Sequence, residues 1–256
     1  MNKIYKIISL KNKKKLVCLT AYSKPFAKIL DKQCDIVLVG DSLGTAMLGM
    51  KNTHHINVDT MIRHGISVKS NLAKALCVID MPANSYRSIV EAKKNAKLIY
   101  NMTKCDAVKM ECNGKNYHII KSIVDIGIPV MGHIGFTPQY YNKFQIQGIL
   151  KKEKKKLMVQ AVKNQNAGVF SIVLECVSVQ TAKIITKSLK IPTIGIGSSV
   201  FCDGQILVTD DMLGLSGFYP KFVKKFANLK NVIEIGVKKY KKEVLNKKFP
   251  SKKNTY

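Results

Sequence analysis

Short apolar runs recur along the chain and alternate with stretches of helical periodicity. The runs are nearly continuous in apolar residues and rich in β-branched ones, which is typical of strands covered on both faces of a parallel sheet. Eight such runs occupy residues 16–22, 35–40, 75–80, 107–111, 128–135, 168–176, 191–197 and 205–209. The pattern predicts eight buried parallel strands.

Between these runs, apolar residues recur every three or four positions, as they do on one face of an amphipathic helix. This periodicity predicts helices over residues 88–102, 154–165 and 179–189. It also predicts a C-terminal helix over residues 222–245, in two pieces. The last eight residues, 249–256, are polar, and we expect them to be frayed.

The alternation of eight strands with helices in 256 residues predicts a (β/α)8 TIM barrel of the α/β class. We expect a single domain over residues 1–256, in which the barrel is followed by a C-terminal helical extension. An open doubly wound sheet is the alternative. Its dinucleotide-binding motif, G-x-G-x-x-G directly after the first strand, is absent from the sequence.

The chain is strongly basic, with 43 Lys and Arg residues, 16 Asp and Glu residues and a net charge of +27. Such an excess is typical of nucleic-acid-binding proteins. Here most of it is Lys spread over several runs, among them 11–15, 151–156 and 238–242; no run is interleaved with aromatic residues, and Trp is absent. We therefore interpret the lysines as solvated faces and expect no specific nucleic-acid partner.

The seven cysteines include no Cys-x-x-Cys pair, and several stand inside apolar runs. This usage favours a reducing compartment. Charge interrupts the first ten residues, which therefore lack the apolar core of a secretory signal, and no apolar run reaches membrane-spanning length. We expect a cytoplasmic protein without a membrane partner.

Polar residues follow the apolar runs at their carboxyl ends. They are Asp41, Ser42, Asp80, Lys109, Glu111, His133 and Glu175. The carboxyl ends of barrel strands meet at one rim, where the active sites of such barrels lie. Because several of only 16 acidic residues stand at these ends, the pattern predicts a functional site at the rim.

Asp41, Asp80 and Glu111 offer carboxylate oxygens from three different strands. Mg²⁺ is bound in proteins by a few carboxylates, together with waters and substrate oxygens. The three residues therefore predict a Mg²⁺ site. The alternative is that each one caps the helix that follows its strand, where Asp is also favoured.

Lys109 and Glu111 are two residues apart, so they face the same side of their strand. Lys109 would either contact an anionic ligand or form a buried ion pair with Glu111. Glu175 ends the longest run, and apolar surroundings would raise its pKa, which suits a general base. A rim salt bridge is the alternative for Glu175, and His133 is a possible accessory residue.

Several motifs, in this order along the chain, resemble those of the ketopantoate hydroxymethyltransferase family. They are Val-Gly-Asp-Ser-Leu-Gly at 39–44, Val-Lys-Met-Glu at 108–111, Gly-His-Ile-Gly-Phe-Thr-Pro-Gln at 132–139, Val-Leu-Glu-Cys at 173–176, and Ile-Pro-Thr-Ile-Gly-Ile-Gly at 191–197 followed by Asp-Gly-Gln-Ile-Leu-Val at 203–208. The resemblance covers about residues 16–226, most of the chain.

The resemblance implies a barrel of the phosphoenolpyruvate/pyruvate type that uses Mg²⁺. Its reaction would transfer a hydroxymethyl group from 5,10-methylenetetrahydrofolate to 3-methyl-2-oxobutanoate, giving 2-dehydropantoate for pantothenate biosynthesis. It implies that Asp41 and Asp80 hold the metal and that Glu111 completes the site. The same resemblance implies a high-order homo-oligomer, a decamer.

Further roles also follow from the resemblance alone. Ser42 and Lys109 would contact the 2-oxo acid. Asp41 and Asp80 would bind the same substrate through the metal that they hold. Glu175 would accept the proton from C3. The chain departs from the family pattern at Ala83-Asn84, at Cys112-Asn113 and in the short loop after Gln139. None of these departures removes a residue with an implied role, but they affect the lid and the fit of substrate and folate.

Two other functions remain open at this point. One is a folate-independent, Mg²⁺-dependent 2-oxo acid aldolase or lyase on the same barrel. The other is a basic nucleic-acid-binding scaffold with a decayed site. The presence of all the rim acids argues against this second function.

Overall fold

Eight parallel strands close into a barrel in the computed structural model, which describes residues 2–141, 144–217 and 219–256. Each strand pairs with the next one along the chain, and β8 pairs with β1. The strands are β1 Leu16–Thr20, β2 Ile36–Val39, β3 Leu76–Asp80, β4 Ala107–Glu111, β5 Val130–Gly135, β6 Ser171–Glu175, β7 Thr193–Ile196 and β8 Gly204–Leu207. The predicted barrel is confirmed, and each strand falls at one of the eight apolar runs.

Helices alternate with the strands along the chain. They are α1 Lys3–Ser9, α2 Lys24–Leu30, α3 Leu43–Ala46, α4 Val58–Lys69, α5 Ile89–Thr103, α6 Tyr117–Val124, α7 Lys151–Asn166, α8 Val179–Ser188, α9 Thr209–Met212 and α10 Leu229–Leu245, with a 3-10 turn at Lys252–Asn254. The three internal helices predicted from periodicity are confirmed as α5, α7 and α8.

The prediction for the C-terminal helix is wrong in its bounds. Residues 222–228 form no helix, and α10 is one continuous helix. The side chain of Asn228 accepts a hydrogen bond from the backbone N–H of Asn231 at 3.3 Å and so caps the helix start. The apolar spacing before Asn228 resembled a helix because periodicity alone carries no start signal.

The barrel lumen is apolar at its amino end. Alternate strand residues point inward and form one cluster with Ile7 of α1. This cluster contains Leu76 and Val78 of β3 and Met131 of β5, all essentially buried. Ile7 packs against this cluster and covers the amino end of the barrel. The opposite, carboxyl end is therefore the open one.

Contacts group the chain into two compact units, residues 1–208 and 209–256. The first holds all eight strands. The second holds α9 and α10, and no residue of α10 is buried. The single-domain interpretation of residues 1–256 stays a prediction. Among the described residues, none of the helices has the length and apolar character needed to cross a membrane.

Candidate functional site

The lumen changes from apolar to polar at the carboxyl end of the barrel. The inward series Leu76, Val78 of β3 continues to Asp80, and in β4 the inward series continues to Lys109 and Glu111. His133 and Glu175 end the equivalent series in β5 and β6. The side chains predicted from the sequence therefore meet at one rim because strand alternation and register bring them there.

Asp80 and Lys109 form a buried ion pair. They are register partners in adjacent strands, and Lys109 Nζ donates to Asp80 Oδ1 at 2.7 Å. The other carboxylate oxygen of Asp80 accepts from the backbone N–H of Asp41 at 3.0 Å. Asp80 is thereby fixed from two sides, and it ties the end of β2 to the ends of β3 and β4.

Gln139 joins two further carboxylates. Its side-chain Nε2 donates to Asp41 Oδ2 at 2.8 Å, and its backbone N–H donates to Glu111 Oε2 at 3.1 Å. Tyr86 donates to Gln139 Oε1. The sequence analysis gave Gln139 no role, although it ends the longest of the family motifs. Asp41, Asp80 and Glu111 are thus brought together through shared hydrogen-bonding partners.

His133 lies between two acids. Its Nδ1 is 3.6 Å from Glu111 Oε1, and its Nε2 is 3.2 Å from Glu175 Oε2. These approaches lack hydrogen-bond geometry, and neither ring nitrogen has a hydrogen-bond partner among the described residues. A buried imidazole with unsatisfied nitrogens costs free energy unless another molecule supplies the partner.

Burial and nearby negative charges raise the pKa values of three rim acids. Burial, reinforced by the negative charge of Asp80, raises the pKa of Asp41 to about 7. Burial and then the charge of Asp41 raise the pKa of Glu111 well above its usual range. Burial also raises the pKa of Glu175 to about 8, although the Lys109 charge works in the opposite direction. The rim therefore holds more negative charge than its one lysine stabilises.

The pKa values of the two basic groups, Lys109 and His133, are shifted in opposite directions. Burial alone would lower the pKa of Lys109, but the carboxylates of Asp80 and Asp41 outweigh it, and the net pKa is raised. Burial and the nearby Lys109 charge lower the pKa of His133 well below its usual value. Lys109 is therefore charged at neutral pH, and His133 is a neutral imidazole there.

The structure decides between several of the alternatives left by the sequence. The residues at the N-cap positions of α3, α5 and α6 are Ser42, Ser88 and Asn116, so none of the three rim acids caps these helices. The buried partner of Lys109 is Asp80, not Glu111. In the described part of the chain, Glu175 has no Lys or Arg within salt-bridge distance, and its contact is with His133.

Ser42 stands beside Asp41 at the end of β2, half-buried. Its Oγ lies 2.8 Å from Tyr22 Oη, at hydrogen-bond distance. Tyr22 follows β1, so this contact extends the polar rim to the end of one more strand. The sequence analysis had assigned no role to Tyr22, because no local pattern marks a tyrosine that contacts a residue 20 positions away.

A divalent cation fits the chemistry of this donor set. No cluster of three metal-ligating side chains is already arranged around a common point, as far as residues 2–141, 144–217 and 219–256 show. Mg²⁺ requires only one or two carboxylates when waters and substrate oxygens complete its octahedron. Asp41 and Asp80 provide these hard oxygens, and added positive charge would favour the ionised form of Asp41, whose pKa is raised by burial and by the charge of Asp80.

Comparison with known proteins decides the family. The model for ketopantoate hydroxymethyltransferase matches residues 2–252. The chain belongs to the ketopantoate hydroxymethyltransferase family. It is 48% identical over 254 residues to 3-methyl-2-oxobutanoate hydroxymethyltransferase of Pelagibacter ubique, with 99% of each chain covered. It is also 48% identical over 259 residues to the enzyme of that name from Thermosipho africanus, covering 99% of this chain and 97% of the relative.

Solved structures share the barrel with this ketopantoate hydroxymethyltransferase family member. A 2,3-dimethylmalate lyase of the PEP mutase/isocitrate lyase superfamily superposes with a TM-score of 0.64 at 12% identity, covering 100% of this chain and 92% of that one. Phosphonopyruvate hydrolase in complex with oxalate and Mg²⁺ gives a TM-score of 0.60 at 11% identity, covering 99% and 93%. These likenesses confirm the predicted (β/α)8 barrel fold.

One departure from the ketopantoate hydroxymethyltransferase pattern has a clear structural consequence. Asn84, at the departure Ala83-Asn84 noted above, has a left-handed backbone, with φ of 65°. Asn tolerates this conformation better than other non-glycine residues. The turn after Asp80 therefore keeps its shape. Asn142 and Lys143, in the loop after Gln139, lie outside the described residues.

Proposed function

We propose that the rim residues catalyse hydroxymethyl transfer from 5,10-methylenetetrahydrofolate to 3-methyl-2-oxobutanoate, giving 2-dehydropantoate. The observation that carries this proposal is the convergence of Asp41, Asp80, Lys109, Glu111, His133 and Glu175 at one end of the barrel lumen. Family membership supports the reaction, because the relatives named above carry the corresponding enzyme name.

Asp41 and Asp80 would hold Mg²⁺, and Glu111 would act on it through water. When bound, Mg²⁺ supplies Lewis-acid polarisation of the 2-oxo group, an effect of several kcal/mol. Lys109 adds a fixed positive charge beside Asp80, where negative charge develops on the substrate. Ser42, which directly follows Asp41, would contact the carboxylate or the oxo group of the substrate.

Glu175 is the proposed base. Its carboxylate removes the proton from C3 of the oxo acid, and a positioned general base contributes about 10²–10⁴-fold. The pKa of about 8 makes Glu175 a stronger base than an exposed glutamate. His133 lies 3.2 Å from Glu175 and, being neutral, would not form an ion pair that lowers the basicity of that carboxylate.

The resulting enolate carbon attacks the methylene carbon of the folate. A carbon–carbon bond forms, the carbon–nitrogen bonds to the folate break in turn, and water supplies the hydroxyl oxygen. Tetrahydrofolate leaves. The apolar walls of the lumen below the rim exclude bulk water from the site while the proton is transferred.

Assembly and compartment are also part of the proposal. The seven cysteines are all free and buried, which supports a cytoplasmic location. Exposed Val232, Ile235 and Tyr240 on α10 support a homo-oligomer, a decamer by family resemblance. The substrates are small molecules, and no specific nucleic acid takes part.

Substrate assays with and without methylenetetrahydrofolate test the proposed function. We expect Mg²⁺-dependent formation of 2-dehydropantoate from 3-methyl-2-oxobutanoate only when the folate is present. Cleavage of 2-oxo acids without folate would instead support an aldolase or lyase. Turnover of neither kind, together with salt-steep binding of DNA or RNA, would support the basic scaffold.

A further inference from the structure

A cavity of about 430 Å³ lies outside the lumen, between α7 and the loop that follows β4. This is a volume typical of small-molecule sites. Five lysines line it: Lys115 from the loop, and Lys152, Lys155, Lys156 and Lys163 from α7. We call it the lysine pocket. It contains part of the 151–156 run that the sequence analysis interpreted as a solvated face.

The charges of the lysine pocket are not neutralised by the protein. Within the described ranges, none of the five lysines has a carboxylate at salt-bridge distance. Glu153, the acid within α7, instead accepts hydrogen bonds from the backbone N–H groups of Gly148 and Ile149 at 3.1 and 3.2 Å. Five like charges around one concavity repel each other, so an anionic ligand would be stabilised there.

The wall of the lysine pocket is fixed to the reaction rim. Asn116, buried, donates to the backbone carbonyl of Glu111 at 2.9 Å. Gly114 has φ of 89°, and a Cβ at this position would lie 2.7 Å from Gln160 Nε2. The loop therefore packs closely against α7 just after β4 ends, and the lining of the pocket begins at Asn113, two residues after Glu111 of the rim.

The spacing of the lysines indicates the form of the ligand. Lys152 and Lys163 are 11 residues apart on α7, which corresponds to about 16 Å along a helix. This is longer than a single phosphate or carboxylate group. Lysines on flexible stems act as point charges that follow a variable chain, whereas planar recognition of one fixed group favours Arg. An extended, flexible chain of anionic groups matches this line of lysines along α7.

We propose that the lysine pocket binds the oligo-γ-glutamate tail of the folate co-substrate, so that the enzyme selects polyglutamylated folate. The proposal rests on the proposed function, which supplies the folate. Each added glutamate of such a tail carries one free carboxylate, and the tail extends away from the reacting pteridine end. A tail that leaves the rim beside Glu111 would meet Lys115 and then the lysines of α7.

The test compares KM for monoglutamyl and tetraglutamyl 5,10-methylenetetrahydrofolate in the Mg²⁺-loaded full chain. Three exposed ion pairs predict a KM about tenfold lower for the tetraglutamyl form. In the triple variant Lys152→Gln, Lys155→Gln, Lys163→Gln, the ratio of the two KM values is expected to fall to about one. High salt should reduce the wild-type ratio in the same direction, because it screens exposed charges.

The matched control removes three lysines from another barrel helix, α5, as Lys93→Gln, Lys94→Gln, Lys97→Gln. It changes net charge equally and should keep the wild-type ratio. The ratio is taken within each variant, so a general loss of activity cancels. Equal KM values in the wild type, or a ratio that survives in the pocket variant, would overturn the tail proposal while leaving the proposed function intact.

Absence of turnover with both folates would contradict the proposed function instead. The pocket is then tested directly by calorimetric titration with free tri-γ-glutamate. Binding that is lost in the pocket variant and kept in the α5 variant supports the lysine pocket as a γ-glutamate site. No binding to the wild type overturns it.

Discussion

The rim is built from residues at the ends of strands and from Gln139, which reaches it from the loop after β5. Asp41, Asp80 and Glu175 each follow a run whose apolar character marks a strand, so barrel geometry alone brings them together. Gln139 contacts Asp41 across 98 residues of sequence, and no periodicity describes the loop that positions it. Its place in a family motif was the only signal available.

Asp80 is both a proposed Mg²⁺ ligand and the buried partner of Lys109. Asp80→Asn is expected to weaken Mg²⁺ binding at least tenfold, measured by calorimetry, because it removes a hard anionic ligand. It should also lower the thermal midpoint, since Lys109 keeps a buried charge without its main partner.

Asp203→Asn provides the control for that experiment. Asp203 forms a second buried pair, with Lys11 at 2.7 Å, just before β8 begins and away from the rim. We expect a comparable loss of stability and an unchanged Mg²⁺ affinity. Equal loss of metal affinity in both variants would mean that Asp80 acts only through the fold.

Glu175 should make the metal-free protein less stable at high pH. Its folded pKa of about 8 is above the value of about 4.3 for an unfolded glutamate. The folded state therefore holds the proton more tightly, and stability falls as pH rises from about 4 to about 8. Glu175→Gln is expected to be more stable than the wild type at pH 9, by about 1–3 kcal/mol, and similar to it near pH 5.

Denaturant unfolding of both proteins at pH 5 and pH 9 measures this difference. A stability gap that is the same at the two pH values would show that ionisation of Glu175 is not its source.

At the scale of elements, strands were easier to predict than helices. A buried strand needs only a short apolar run, and all eight runs contain one. Helices α2, α4 and α6 were not predicted. In α4, for example, Gly65 stands on the inward face, where an apolar side chain would have marked the periodicity. Close packing against β3 and α5 explains that glycine.

Gly65→Ala is expected to destabilise the protein by about 1–3 kcal/mol, although alanine favours helix more than glycine does. A Cβ there would lie 2.5 Å from Ile79 Cδ1 and 2.8 Å from Thr103 Cγ2, so these buried side chains must move in a closely packed core. A Cβ at Gly236 in α10 would meet no described atom within 4 Å, so Gly236→Ala should stabilise that helix by up to about 1 kcal/mol. Chemical denaturation measures the free energy of unfolding of both variants. An unchanged free energy of unfolding in Gly65→Ala would contradict the packing argument.

At the scale of the whole molecule, the barrel can be predicted from the order of the elements. The way in which the excess lysines cluster in space cannot. The sequence shows the +27 net charge but not which lysines face one another. Folding gathers five of them, from residues 115 and 152–163, around one cavity. Helical spacing could have placed the four lysines of α7 near each other, but the contribution of Lys115 depends on the turn at Gly114.

Salt should stabilise the ligand-free protein. A net charge of this size favours unfolding through self-repulsion, which added salt screens. We expect the thermal midpoint to rise by a few degrees between low ionic strength and physiological NaCl, measured by scanning calorimetry. A midpoint that falls with added NaCl would show that attractive surface pairs outweigh the repulsion.

The central claim is that rim acids from separate strands make a 2-oxo acid enolisable and that Glu175 takes the proton. Deuterium exchange at C3 of 3-methyl-2-oxobutanoate, followed by NMR without folate, tests it most directly. The account predicts exchange that requires Mg²⁺ and is abolished in Glu175→Gln, while that variant still binds Mg²⁺. Undiminished exchange in Glu175→Gln, or equal exchange without Mg²⁺, would contradict it.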